Sequence, residues 1–244
     1  MIVTRHMVIP DYSAHDGPIV LEVTRETDFG GVDPREDDTL GHMVCWNRGY
    51  NFGSEPHDRN IHSEDELAVI LAGILAEELN LDSDQKANVE NFNSPYELMR
   101  AIKKHTRTVV LPIYLLDHGG LWLSTGRGYF DMIDPGSWDH GQAGIIYATS
   151  NDMKRNFKVQ EITDEIMKEA ENVLESEIER YSMFLQGDVW YYELKNRDTD
   201  ELIDSCGGIY ADRFSDLKRQ IKSLIPEEFA HLADTLDENN TIDY

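Results

Sequence analysis

The chain has 244 residues, with 47 Asp and Glu against 22 Lys and Arg, a formal net charge of −25 at pH 7. That charge repels nucleic acid and anionic membranes and favours cationic partners, whereas solubility alone asks for only ~2–8 charges on a small domain. A hydrophobic content of 40% excludes a disordered acidic chain, no apolar run nears the ~20 residues of a membrane span, and two cysteines exclude a disulfide framework or thiolate zinc site.

Residues 1–60 read as short strands in turn-rich loops. Ile19 to Thr24 is β-branched behind Gly17-Pro18, and Leu40 to Trp46 reads as a buried strand. Gly30-Gly31 and residues 47–59 read as loop. Ser63, with Glu66 three places on, forms a capping box for a helix whose stripe is Leu67, Ile70, Leu71, Ile74, Leu75 and Leu79. A second box, Ser94-Pro95-Tyr96-Glu97, starts a short helix that ends near Lys104.

The centre is β. Thr108 to Leu116 and Leu121 to Ser124 read as strands joined through Asp117-His118-Gly119-Gly120, and Ala143 to Thr149 as another. Thr163 caps the longest helix, in which Ile166, Ala170, Leu174, Ile178, Tyr181 and Leu185 form an apolar face opposite an acidic one. A hairpin pairs Val189 to Leu194 with Leu202 to Cys206, helices cover 213–224 and 227–236, and residues 237–244 form a loose acidic tail. This order predicts a single α+β domain, a mostly antiparallel sheet packed with several helices including the long acidic amphipathic one.

The polar residues able to carry chemistry are few. Asp117-His118-Gly119 and Asp139-His140-Gly141, with Gln142 and Ser124 nearby, could supply metal ligands or a general base with its orienting group. Neighbouring strand residues point to opposite faces, so at most one of each Asp-His pair reaches a common site if the strand continues. The plainer reading makes Asp117 and Asp139 turn residues that accept backbone hydrogen bonds before glycine. Cys206, before Gly207-Gly208, is a candidate nucleophile that would need a base from the fold, against the alternative of a small buried apolar side chain. Cys45 lies inside an apolar strand, and His57 and His62 match no usual zinc spacing. The chain carries no phosphate-loop, dinucleotide, zinc-protease or nucleophile-elbow motif.

Two patterns point to an interface. Glu171, Glu175 and Glu179 repeat at i, i+4, as do Glu161, Glu165 and Glu169 at the start of the long helix. Such rows set carboxylates about 6 Å apart, a spacing that approaches that of phosphates along a nucleic-acid strand. The competing reading is a solvated helix face. Trp190, Tyr191 and Tyr192 share one strand, so alternate rings face opposite sides, and Trp190 and Tyr192 are candidate interface anchors.

Four blocks resemble a known family. They are Asp33-Pro34-Arg35-Glu36-Asp37-Asp38-Thr39-Leu40-Gly41-His42-Met43-Val44-Cys45-Trp46, Leu111-Pro112-Ile113-Tyr114-Leu115-Leu116-Asp117-His118-Gly119, Trp138-Asp139-His140-Gly141-Gln142-Ala143-Gly144-Ile145-Ile146-Tyr147 and Ile203-Asp204-Ser205-Cys206-Gly207-Gly208-Ile209-Tyr210. In order and spacing they resemble an uncharacterised family of proteins encoded by bacteriophages and other mobile elements. His140 stands where that family usually has Ser, and Gly207 where it has Trp. The resemblance implies a phage or mobile-element origin and carries no biochemical activity.

The expected function is a non-enzymatic, cytosolic accessory protein that inhibits a basic host protein handling nucleic acid, a counter-defence role. It binds neither nucleic acid nor membrane directly and needs no cofactor; self-association and a divalent metal stay open. The alternative is a metal-assisted hydrolase or small-nucleotide sponge using Asp117, His118 and the Trp138–Gln142 loop. Adaptation to high salt is a further reading of the acidity.

Overall fold

The computed structural model describes residues 10–26, 33–46, 49–50, 52–53, 64–90 and 94–237. The strands are β1 (Tyr12–Asp16), β2 (Ile19–Arg25), β3 (His42–Cys45), β4 (Val109–Asp117), β5 (Leu121–Ser124), β6 (His140–Ala148), β7 (Val189–Asn196) and β8 (Glu201–Tyr210). The helices are α1 (Glu64–Glu78), α2 (Ser83–Glu90), α3 (Pro95–His105), α4 (Gly128–Ile133), α5 (Ser150–Phe157), α6 (Asp164–Gln186), α7 (Phe214–Leu224) and α8 (Ala230–Thr235). The class is α+β, and every strand pairing among these residues is antiparallel. Two four-stranded sheets form in place of one, and the chain divides into two compact units, residues 34–182 and residues 1–33 with 183–244. The expected cap at Ser63, the Gly30-Gly31 loop, His57, His62 and the tail past Asp237 lie outside the described residues.

Residues 34–182 build the sheet β3-β6-β4-β5. β6 pairs on both sides and is buried on both faces from Ala143 to Ala148, the burial expected of a central strand. On one face Ile145 and Tyr147 join Leu67, Leu71 and Leu75 of α1 and Leu98 and Ile102 of α3 in a single apolar cluster. On the other, Ile146 and Leu174 of α6 close over Gly41, where a Cβ would sit 2.5 and 2.6 Å from their side chains. α6 is pinned by polar bonds as well. Leu40 N and Gly41 N donate to the Glu177 carboxylate at 2.7 and 3.0 Å, and Leu123 N donates to Ser182 Oγ at 2.9 Å. Burial pushes Glu177 above the ordinary carboxylate range, with the two backbone donors opposing.

The caps explain the helix starts. Ser94 Oγ accepts from Glu97 N with Pro95 in the first turn, and α3 ends on Lys103, Lys104 and His105. Thr163 caps α6 through Ile166 N, which sets Glu161 outside the helix. The expected row Glu161, Glu165, Glu169 is therefore corrected to Glu165 and Glu169. α5, which the pattern of apolar residues did not reveal, opens on a capping box between Thr149 and Asp152.

The second unit forms the sheet β1-β2-β7-β8. Leu21 and Val23 of β2, Trp190, Tyr192 and Leu194 of β7 and Ile209 of β8 pack with Leu217 and Ile221 of α7 and Leu232 of α8. Trp190 and Tyr192 are 4% and 1% exposed, so the expectation that they anchor an interface is overturned. They occupy the core-facing parity of a strand paired on both sides. Their polar ends are satisfied inside, the indole Nε1 donating to Ala211 O at 3.0 Å and the Tyr192 hydroxyl to Asp204 at 2.7 Å.

Candidate functional site

The two Asp-His-Gly tripeptides meet at the ends of β4 and β6. Asp117 N donates to Asp139 O at 2.8 Å, which closes the strand pair. One residue beyond each strand, His118 Nδ1 and Asp139 Oδ2 lie 2.8 Å apart. The strict alternation of side chains no longer holds there, so these two converge while their neighbours do not. Asp117 instead accepts from the Tyr50 hydroxyl at 3.0 Å, which pushes that phenol above its usual range. Gln142 Nε2 donates to Gly144 O at 3.3 Å.

His140 turns the opposite way and is buried, its side chain 1% exposed. Its Nε2 lies 3.0 Å from Asp131 and its Nδ1 3.2 Å from Asp134. Carboxylates accept only, so both contacts are hydrogen bonds when both ring nitrogens carry hydrogen. Asp131 is held below the usual carboxylate range by the Arg127 guanidinium and then by His140. Asp134 is lowered first by the Asp139 backbone N–H and then by His140. The turn role expected of Asp139 thus belongs to Asp134, which accepts from Asp139 N at 2.7 Å.

Of Asp117, His118, Asp139, His140 and Gln142, the fold joins the side chains of one pair, His118 and Asp139. The histidine and two carboxylates at His140 contact through opposite ring nitrogens and do not converge on one point. Among the described residues no group of three or more His, Cys, Asp or Glu is placed to hold a metal ion. Cys206 is half-buried, its Sγ 3.6 Å from Gly207 O, and the described histidines of its own unit, His15 and His231, pair with Ser13 and Asp16. Burial pushes the Cys45 thiol up to about 12, with Arg35 opposing, so it is an inert core side chain.

The acidic side of α6 presents Asp164, Glu165, Glu169, Glu175 and Glu179 to solvent, with Glu171 half-buried. Relief is local: Lys168 Nζ lies 3.6 Å from Glu171, Arg180 pairs with Asp37 at 2.9 Å and Arg107 with Asp164 at 2.5 Å. Among the described residues Glu165, Glu169, Glu175 and Glu179 make no ion pair. The exposed indole that sequence reading sought on β7 stands at Trp138, 89% exposed, with Tyr129, Met132 and Ile133 of α4 also at the surface. The periodicity of α4 is too short to mark these residues as outward-facing. Among the described residues no helix is long and apolar enough to cross a membrane. No family model, curated protein or solved structure matches the chain.

Proposed function

We propose that the chain is a binding protein, not an enzyme, that takes a basic protein partner on the outer face of α6. The observation that carries this reading is the set of exposed carboxylates Glu165, Glu169, Glu175 and Glu179 along one helix, which make no ion pair among the described residues. Like charges at i, i+4 cost a helix ~0.2–0.5 kcal/mol each, a cost that a cationic partner removes. The partner chemistry that fits best is a groove built for nucleic-acid phosphates, because Glu171, Glu175 and Glu179 repeat about every 6 Å along the axis. A phage or mobile-element chain with such a face would act by occluding a host nucleic-acid-handling or defence protein. The His118–Asp139 contact alone does not assemble the convergent site that the hydrolase reading requires.

The test is capture from host lysate with the wild-type chain and with E171K/E175K/E179K, followed by titration of the purified retained protein. The expected result is one basic nucleic-acid-binding protein, released by nucleic acid and by high salt, whose affinity falls about tenfold or more for the reversed chain. Equal affinity for the two chains would remove α6 as the interface.

A further inference from the structure

Within residues 34–182 an open cleft of about 670 Å³ runs between the end of α3, the segment leading into β4, α5 and the segment before α6. Its wall carries Lys103, Lys104, His105, Arg107 and Lys154, the reverse of the sign of the chain as a whole. Arg107 is taken by Asp164. Among the described residues Lys103, Lys104 and Lys154 make no ion pair, in a chain with 47 carboxylate side chains to choose from. Two acids also line the cleft. Glu78 is occupied, accepting from Ser150 N and Ser150 Oγ at 3.0 Å each, and Glu161 is exposed. Cations in the last turns of α3 and α5 complement the helix dipoles. That explains one lysine per helix end, but not three unpaired ammonium groups around a single cavity.

We propose that this cleft binds a compact polyphosphate, a small molecule with two or more linked phosphoryl groups. The volume falls within the ~300–1,000 Å³ of small-molecule sites, and lysine ammonium groups bind phosphate as point charges. Ile162 is the sole aliphatic side chain of the wall and the His105 imidazole its sole ring, against three lysines, so recognition falls mainly on the phosphates and not on a base. Glu161 of the wall and Asp164, the first residue of α6 and the partner of Arg107, oppose a long polyanion, whereas a compact one is held by the lysines. The net charge of −25 repels anions at long range, so non-specific uptake is disfavoured. This site is separate from the outer face of α6 and makes the chain a two-signed binding protein.

Isothermal titration of the full chain at about 50 mM salt, where surface charges are little screened, tests the assignment with four probes. They are inorganic tripolyphosphate, ATP, adenosine and a single-stranded DNA 20-mer. Tripolyphosphate and ATP should bind one per chain with similar affinity, and adenosine should give no signal. K103A/K104A/K154A should weaken both by about tenfold or more, while K103R/K104R/K154R, which keeps the charge and reports on folding, should stay within about threefold. The proposal is overturned if tripolyphosphate does not bind or if the alanine variant binds it equally well. Adenosine matching ATP, or the 20-mer outcompeting tripolyphosphate, would overturn it too.

Discussion

Gly144→Ala should lower the unfolding free energy by about 3 kcal/mol, the upper end of the usual cost of overpacking. Gly144 lies in β6, opposite Cys45 of β3 and Ile113 of β4. A Cβ there would sit 2.6 Å from the Val44 carbonyl oxygen, 2.7 Å from Cys45 Sγ and 3.2 Å from Cys45 Cα. Two of these atoms are backbone, so no rotamer change relieves the clash. β6 cannot move off β3 without disturbing β4, because it is paired on both sides. Urea unfolding should show a lower midpoint with an unchanged slope. Gly141→Ala is the control on the same strand: a Cβ there meets nothing within 4 Å, and the change should stay within about 0.5 kcal/mol. Equal stability of the two variants would mean that β3 and β6 do not approach as closely as described.

Asp152→Ala should cost a comparable ~3 kcal/mol, about 1 from the helix cap and the rest from charge-assisted bonds in a buried setting. The Asp152 carboxylate accepts from Thr149 N at 3.0 Å, Thr149 Oγ1 at 2.5 Å and Arg155 at 2.9 Å, and lies 3.2 Å from His42 Nε2 of β3. Burial opposes its ionisation, but the bonds from His42 and Thr149 win and hold the group well below the ordinary carboxylate range. A carboxyl lowered in the folded state stabilises above its unfolded value of about 3.9 and loses that contribution as pH falls toward the folded one. The stability gap between wild type and D152A should therefore be full at pH 7 and narrow below about pH 4. Glu177 works with the opposite sign. Its raised value makes its burial unfavourable at neutral pH, and acid relieves that cost. A pH-independent gap would separate Asp152 from any electrostatic role in joining α5 to β3.

How far the sequence carried depends on whether a feature is local. Ser94-Pro95 and Thr163 announce their helices because the cap oxygen and the N–H that donates to it lie within three residues. β5 falls where its apolar run ends, between the turn residues around Gly120 and Gly126. The box Thr149–Asp152 is equally local, yet α5 buries too few apolar residues for a periodic stripe, so its start carried no visible helix behind it. What sequence could not supply is parity and partner choice. Trp190 and Tyr192 look alike whether they face core or solvent, and only pairing with β2, more than a hundred residues away, sets their side. His118 and Asp139 become neighbours through the β4–β6 ladder. Lys104 reads correctly as a helix-end cation, but Lys154 joins it only once α5 is placed.

The sheet β1-β2-β7-β8 draws its halves from the two ends of the described chain, while residues 34–182 hold every strand of theirs. During synthesis the inner unit can close as soon as it emerges, whereas β2 waits for β7. At ~5–20 residues per second that wait is roughly 10–30 s. Throughout it Val20, Leu21 and Val23, all fully buried in the finished fold, lack the strand that covers them. An unpaired apolar edge is a template for pairing with another chain. Glu22 and Arg25 on the same strand place charge on that nascent edge, and in the finished sheet Glu22 is neutralised by Lys195 of the very strand it awaited.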